Sequence, residues 1–553
     1  MGTHTRTAAV IALLIASAAV APTATAAADP AARTEYTVLA ADNVRAATAV
    51  AAIQRAGGRV VARTDDVGMF QVVGPASGFV ERVAASPDLA GATHRRPIGH
   101  APGRKPTAAE KPTGPARLTA GPGPDPLDGR LWGLRMIRAD KARAVTAGDR
   151  RVAVGILDTG VDASNPDIAP NFDWTLSRNF AKDIPDIDGP CEVASCLDAV
   201  GTDDGGHGTH VAGTIGAAAN GVGVSGVAPN VSLVELKGGQ DSGYFFLESV
   251  VNALVYAGQA GLDVVNMSFY VDPWLYNCTA NPADQPAAQA EQRTIIRAMT
   301  RALTYAHLRG VTLVGSLGNG HTDLGHPASD ASSPDYPADT AYPRTIDNRS
   351  CLDLPVEGPF VIGVSAVGPS GRKADYSNYG TEQISVAAPG GWFRDGFGTP
   401  SYRTVDNEIL STYPRKVLQE GGLVDADGNV TPAGQGSVFK DCTTAGACGY
   451  YTYLQGTSMA APHTSGVAAL IVSRFGHRDL LHPGTLTLAP STVESVLTRT
   501  AAAHACPTPR LQTYTQEGRD ASYDAYCDGG TRFNGFYGSG VVDAYAAVTA
   551  HRY

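Results

Sequence analysis

The amino-acid sequence predicts an α/β fold: a doubly wound, mostly parallel sheet preceded by a small α/β module. Three observations predict it. From residue 127 onward, short apolar runs alternate with longer helical segments, the pattern of a parallel sheet covered on its faces. Runs such as Val152-Ala153-Val154-Gly155-Ile156-Leu157 are apolar throughout, as strands buried on both faces are. Glycine-rich turns carrying Asp, His, Asn and Ser fall at strand ends or helix starts, where doubly wound sheets keep their sites.

In chain order, Arg6, an apolar stretch over residues 8–20 and Ala24-Thr25-Ala26 predict a secretory signal spanning 1–28. Residues 34–100 read as the small module, with strands at 36–39, 59–62 and 69–73 and helices at 44–55 and 78–85. Residues 101–126, rich in Pro, Gly, Lys and Ala without periodicity, read as a linker. The large domain then fills 127–553. Its strands are expected at 152–157, 231–236, 264–267, 311–315, 360–364 and 384–387. Its helices are expected at 207–219, 242–260, 294–308, 458–474 and 491–502. Two stretches read as insertions. Residues 183–204 are acidic and carry two cysteines. Residues 392–453, rich in Gly, Asp and Tyr, immediately precede a serine turn, a position from which they would line a cleft.

Composition narrows the function. The 553-residue chain has a net charge of −10 and no long basic run, which argues against nucleic-acid binding. The apolar stretch near the start is short for a membrane span, so a secreted, soluble monomer is expected. Eight cysteines fit an oxidising compartment. Their connectivity is open among 105 possibilities. Short loops suggest Cys191–Cys196 and Cys442–Cys448, with Cys278–Cys351 and Cys506–Cys527 as the simplest remainder. Cys-x-x-Cys pairs are missing, so zinc is not expected.

The chemistry gathers around Gly456-Thr457-Ser458-Met459-Ala460-Ala461-Pro462-His463. A Gly-Thr-Ser turn opening into an apolar helix places Ser458 where unpaired N–H groups and the macrodipole favour negative charge. A lone serine there is an ordinary helix cap. Two further stretches outweigh that reading. One strand delivers Asp158-Thr159-Gly160, and a second glycine turn delivers His207-Gly208-Thr209-His210 into a helix. The order Asp, His, Ser is the order known for subtilisin. With Leu317-Gly318-Asn319-Gly320, four segments in sequence resemble the subtilisin-like serine proteases.

The resemblance implies a secreted serine endopeptidase acting on protein or peptide substrates through an acyl-enzyme, with no cofactor required for the chemistry. Asp158 would orient His207, His207 would take the proton of Ser458, and Asn319 would donate to the oxyanion. Residues 34–100 resemble an inhibitory propeptide that leaves by self-cleavage. Substrate backbone would add along Ser268-Phe269-Tyr270, where the family's usual Ser-Leu-Gly-Gly is replaced by bulkier residues. Aligning Tyr336-Pro337 with the family's Tyr-Pro puts Asp335 at the floor of the first specificity pocket, which would favour Arg or Lys. Asp167 and Asn220 align with structural-calcium positions, although the loop after Asn220 is one residue short. His210 and His463 read as packing residues.

Other chemistries fit less well. A second aspartic-protease motif at Asp241-Ser242-Gly243 lacks an apolar strand before it. An α/β-hydrolase requires the order Ser, Asp, His. The alternative from another class is a catalytically silent binding protein on the same scaffold.

Overall fold

The computed structural model describes residues 32–95, 97–100, 124–269, 273–334 and 340–551. The expected signal segment, most of the linker, Tyr270 and Asp335 lie outside the described residues.

The organising strand is Ala153–Asp158, in which all six residues are buried. Its alternation explains why the run is apolar throughout. Val154 and Ile156 enter the core beneath the His207 and Ser458 helices, while Ala153 and Leu157 enter a second core on the opposite face. Burying each such Val, Ile or Leu contributes about 1.5–3 kcal/mol. Val264 and Val314 likewise face the first core, Val265 and Leu313 the second.

Seven parallel strands form the sheet, in the order Val386–Pro389, Val361–Val367, Thr312–Ser316, Val264–Met267, Ala153–Asp158, Ser232–Lys237, Arg178–Asn179. After Ala153–Asp158 the chain adds strands on one side, then crosses to build the other. That strand is therefore the topological switch, and its carboxyl end opens the crevice in which such sheets bind ligands. Asp158 is its last residue.

The amino-terminal module is an antiparallel sheet in the order Arg59–Thr64, Met69–Pro75, Arg33–Ala40, Leu89–His94. Tyr36, Val38, Phe70 and Val72 pack under helices Ala46–Arg55 and Phe79–Ala84. Leu39 and Met69, from the other face, join the second core on helices Leu247–Ala260 and Pro286–Leu308. Arg301 ties the two bodies with bonds of 3.0 Å to both the Val67 and Ala40 carbonyls. The fourth strand escapes sequence reading because Leu89-Ala90-Gly91-Ala92 is small. Docking demands that smallness: a Cβ on Gly91 would stand 2.3 Å from Thr294 Oγ1.

Beyond this module, Pro97–His100 forms a strand antiparallel to Tyr244–Phe246. This corrects the expected helix over 242–260, which begins only at Leu247. Gly243, at φ +88°, ends the preceding turn, and Tyr244-Phe245-Phe246 then takes the extended form that aromatics favour. The helix expected at 294 starts at Pro286, whose fixed φ suits a first helical position.

The later insertion also differs from expectation. Its strands Ile409–Tyr413, Cys448–Leu454 and Val438–Cys442 form a separate antiparallel sheet. This sheet backs the His207 helix: Ser411 and Thr412 hydroxyls each donate at 2.8 Å, to the His210 and Thr209 carbonyls respectively. The four disulfides are Cys191–Cys196, Cys278–Cys351, Cys442–Cys448 and Cys506–Cys527, the pairing read from the spacings.

Candidate active site

Asp158 reaches the site at the end of the switch strand, and its Oδ1 lies 2.8 Å from His207 Nδ1. The same oxygen accepts the Thr159 N–H at 2.8 Å. Both residues are buried, Asp158 fully. Close approach of the two turns requires glycine. A Cβ on Gly208 would stand 2.1 Å from the Gly160 carbonyl oxygen, and one on Gly160 2.2 Å from that of Thr202.

A second buried acid sets the helix that carries His207. Asp203 accepts the Gly206 N–H at 2.7 Å, the Thr209 N–H at 2.9 Å and the Thr209 hydroxyl at 2.6 Å. The Thr159 hydroxyl donates to it at 2.9 Å, joining the Asp158 turn to the helix start. Sequence reasoning missed Asp203. An acid shortly before a helix start was the available signal.

Burial pushes the His207 imidazole towards the neutral form. The charge and hydrogen bond of Asp158, with the charge of Asp203, outweigh this and raise its pKa above the usual 6.5. His210 and His463 behave oppositely. Burial first of all lowers them to about 3 and about 4, and they bond to the Ile409 and Met459 carbonyls at 3.0 and 2.7 Å. They are neutral packing groups, as expected from the sequence.

Ser458 is the second residue of helix Thr457–Phe475. Its hydroxyl donates to the Ser268 carbonyl at 3.1 Å, and the Ser268 hydroxyl donates back to the Ser458 carbonyl at 3.0 Å. His207 Nε2 is buried and has no hydrogen-bond partner among the described residues. Asn319 caps the other wall. The Thr457 N–H and hydroxyl both donate to its Oδ1 at 2.9 Å. With the oxygen so held, the amide nitrogen is left as the free donor. Gly318 N–H donates in turn to the Thr457 hydroxyl at 3.0 Å, locking the loop onto the helix start.

This is the geometry on which comparison with known proteins bears. Residues 149–540 match the family model described as the Subtilase family. The chain belongs to the subtilase family. It is 29% identical over 370 residues to Subtilisin DY of Bacillus licheniformis, covering 67% of this chain and 90% of that protein. It is also 29% identical over 360 residues to Fervidolysin of Fervidobacterium pennivorans, covering 63% of this chain but 38% of that protein. Among solved structures, the epidermin leader peptide processing serine protease of Staphylococcus aureus superposes with a TM-score of 0.62 at 19% identity. That superposition covers 94% of this chain and 99% of the other. Fervidolysin superposes at 0.56 and 21% identity, covering 94% and 61%. At these identities the structural likenesses speak for the fold. The family membership and the subtilisin relatives make the protein a subtilase-type serine endopeptidase.

The remaining expected site residues divide. Ser268 stands against Ser458, but Phe269 points into the core, 1% exposed and stacked on Phe245 at 4.2 Å. Its side chain therefore does not wall a substrate pocket, and this subtilase keeps an aromatic there for packing. Tyr270 and Asp335 fall outside the described residues. A buried acid that the sequence reading passed over, Asp353, has its Oδ2 3.8 Å from where a Cβ on Gly318 would stand, behind the Asn319 loop.

Asp167 and Asn220, the residues expected to hold calcium, lie together in the structure, and Asp167 Oδ1 and neighbouring Asp125 Oδ2 are buried without a hydrogen-bond partner among the described residues. Asp167 Oδ2 accepts the Val224 N–H at 2.9 Å, and Asn220 Oδ1 accepts the Val222 N–H at 3.0 Å. The Gly221 and Gly223 N–H groups point to Asp125 and Asp441 at 2.5 and 2.8 Å. The Tyr451 hydroxyl lies beside this loop, 1.9 Å from where a Cβ on Gly223 would stand. Burial raises the Asp167 carboxyl to about 7.

Proposed function

We propose that the protein is a secreted endopeptidase that cleaves peptide bonds with Asp158, His207 and Ser458 and is made as a self-processing precursor. The observation that carries this reading is the Asp158–His207 bond at 2.8 Å, beside a serine at a helix start held against Asn319.

Asp158 holds the proton on His207 Nδ1, leaving Nε2 as the base. In this reading the Ser458 hydroxyl leaves the Ser268 carbonyl to meet that nitrogen. As Oγ attacks the substrate carbonyl, the proton moves to Nε2, and Asp158 stabilises the imidazolium. The oxyanion takes hydrogen bonds from Asn319 Nδ2 and the Ser458 N–H, which lies in the first turn, where helices leave donors unpaired. His207 then protonates the leaving amine, and water hydrolyses the acyl-enzyme by the same route.

The amino-terminal module is read as the inhibitory propeptide. Its strand Pro97–His100 pairs with Tyr244–Phe246 by backbone bonds, as an extended substrate would. Running antiparallel, it heads from Phe246 towards the turn at Gly239, whose N–H donates to the Asp158 carbonyl at 3.0 Å. Cleavage is expected in the segment that follows. Four disulfides suit an extracellular setting. Among the described residues no helix is long and apolar enough to cross a membrane.

The test is the Ser458→Ala chain, expressed in a host without other secreted proteases. It should hydrolyse no peptide, resist a serine-directed phosphonate and retain the module covalently. Normal processing would refute self-cleavage. Retained hydrolysis above a few per cent, or wild-type protein inert to the phosphonate, would refute the triad and favour a silent binding scaffold.

A further inference from the structure

The earlier insertion carries acids that the peptidase chemistry does not use. Its two ends meet the turn after strand Ser232–Lys237, and two acidic triads form there, sharing Asp241. One is Asp198, Asp204 and Asp241; the other is Asp183, Glu192 and Asp241. Within each, the carboxylate oxygens lie within 4.8 Å of one another.

The two triads differ in what counters them. The first is already occupied by ammonium groups. Fully buried Lys237 lies 2.8 Å from Asp198 and 2.7 Å from Asp241, and Lys416 lies 2.7 Å from Asp204. The second is not. Asp183 is 4% exposed, and both of its carboxylate oxygens are buried without a hydrogen-bond partner among the described residues. Glu192 meets Lys416 only at 3.4 Å across an exposed contact. Neighbouring Asp188 is spent on the Ile184 N–H at 2.8 Å and on the Ser242 N–H and hydroxyl at 3.1 and 2.5 Å. A buried carboxylate left unpaired costs several kcal/mol, so Asp183 requires either a proton or a cation.

We propose that Asp183, Glu192 and Asp241 form a calcium site that ties the disulfide-closed insertion to the turn beside the substrate strand. Hard carboxylate oxygens in an irregular, partly open arrangement suit Ca²⁺, which accepts variable geometry, better than Mg²⁺, which demands an octahedron. Glu192 sits inside the Cys191–Cys196 loop, so the disulfide holds one ligand in place. Asp241 lies three residues before Tyr244–Phe246, the strand that pairs with Pro97–His100. An ion here would brace the wall against which extended chains add. The site uses none of the groups expected to hold calcium near Asp167.

The test uses the full chain carrying Ser458→Ala, which removes autolysis from the measurement. After chelation, calorimetric titration with CaCl₂ should give one site per chain, and Ca²⁺ should raise the thermal midpoint. Asp183→Asn should weaken binding by about tenfold or more, since ligand charge sets affinity in such sites. Glu192→Gln, at an exposed position that does not threaten folding, should weaken it in the same direction, and Asp167→Asn should leave it unchanged. Absence of Ca²⁺ binding, or affinity unaltered by Glu192→Gln and Asp183→Asn, would overturn the proposal. So would loss of binding in Asp167→Asn alone.

Discussion

Asn319 does two things that mutation can separate. Its Oδ1 receives the Thr457 N–H and hydroxyl, each at 2.9 Å, and its Nδ2 is the donor proposed to meet the oxyanion. Asn319→Ala removes both functions. Loss of the oxyanion donor should lower kcat by about 10²–10³, or ~2.7–4 kcal/mol, a magnitude that comes from subtilisin itself. Loss of the acceptor strands the Thr457 N–H at the helix start and should cost ~1–3 kcal/mol of stability. Asn319→Asp keeps an acceptor for Thr457 but turns an anionic oxygen towards the developing charge. It should therefore lose at least as much kcat as alanine while retaining most of the stability. The assays are kcat and KM on a peptide substrate and denaturant unfolding in the Ser458→Ala background. A kcat within about threefold of wild type for both variants would show that Asn319 holds the loop and does not touch the oxyanion. Equal stability losses in both would show that its amide oxygen is not what Thr457 needs.

Three further outcomes follow from the structure. His207 must be neutral to act as base, and its pKa is raised, so kcat/KM should fall as pH drops through a midpoint above 6.5. Asp158→Asn should lower that midpoint and cut the rate by about 10⁴; an unmoved acid limb would break the link between them. Phe269→Leu should lower the unfolding midpoint yet leave the ranking of peptides by the residue before the scissile bond unchanged, because that ring packs on Phe245; a changed ranking would return it to the pocket wall. Burial raises Glu235 from 4.5 to about 8, so the folded state binds a proton that the unfolded state has released. Its contribution is intact below about 4.5 and is lost as pH rises towards 8, and Glu235→Gln should remove that decline in unfolding titrations between these pH values. An identical pH dependence in the variant would count against it.

The sheet was legible because each central strand is apolar on both faces, a pattern that helices of the same length do not need. The placement of Asp158 at a strand end and of His207 and Ser458 at helix starts was legible because glycines punctuate the turns that present them. What escaped reading did so for physical reasons. Tyr244–Phe246 lies in an apolar stretch continuous with the following helix, and no turn residue stands between Phe246 and Leu247. Phe269 depends on loop placement, which residue spacing does not encode. Asp203 resembles any acid in a polar turn until five hydrogen bonds converge on it, from Thr159, Gly205, Gly206 and twice from Thr209.

The insertion over 392–453 shows how position in sequence can mislead about position in space. It ends at the serine turn, which suggested a wall of the cleft. Its strand Ile409–Tyr413 instead binds the outer side of the His207 helix through Ser411, Thr412 and the Ile409 carbonyl. Tyr413 packs so near Gly206 that a Cβ there would stand 2.5 Å from the ring. The sheet therefore presses on the helix start that Asp203 holds from within. Asp203, Asp158 and the insertion hold the His207 helix start from three directions, whereas the Ser458 hydroxyl makes one hydrogen bond, to the Ser268 carbonyl. Rigidity at the proposed base and freedom at the proposed nucleophile are what a proton transfer between them requires.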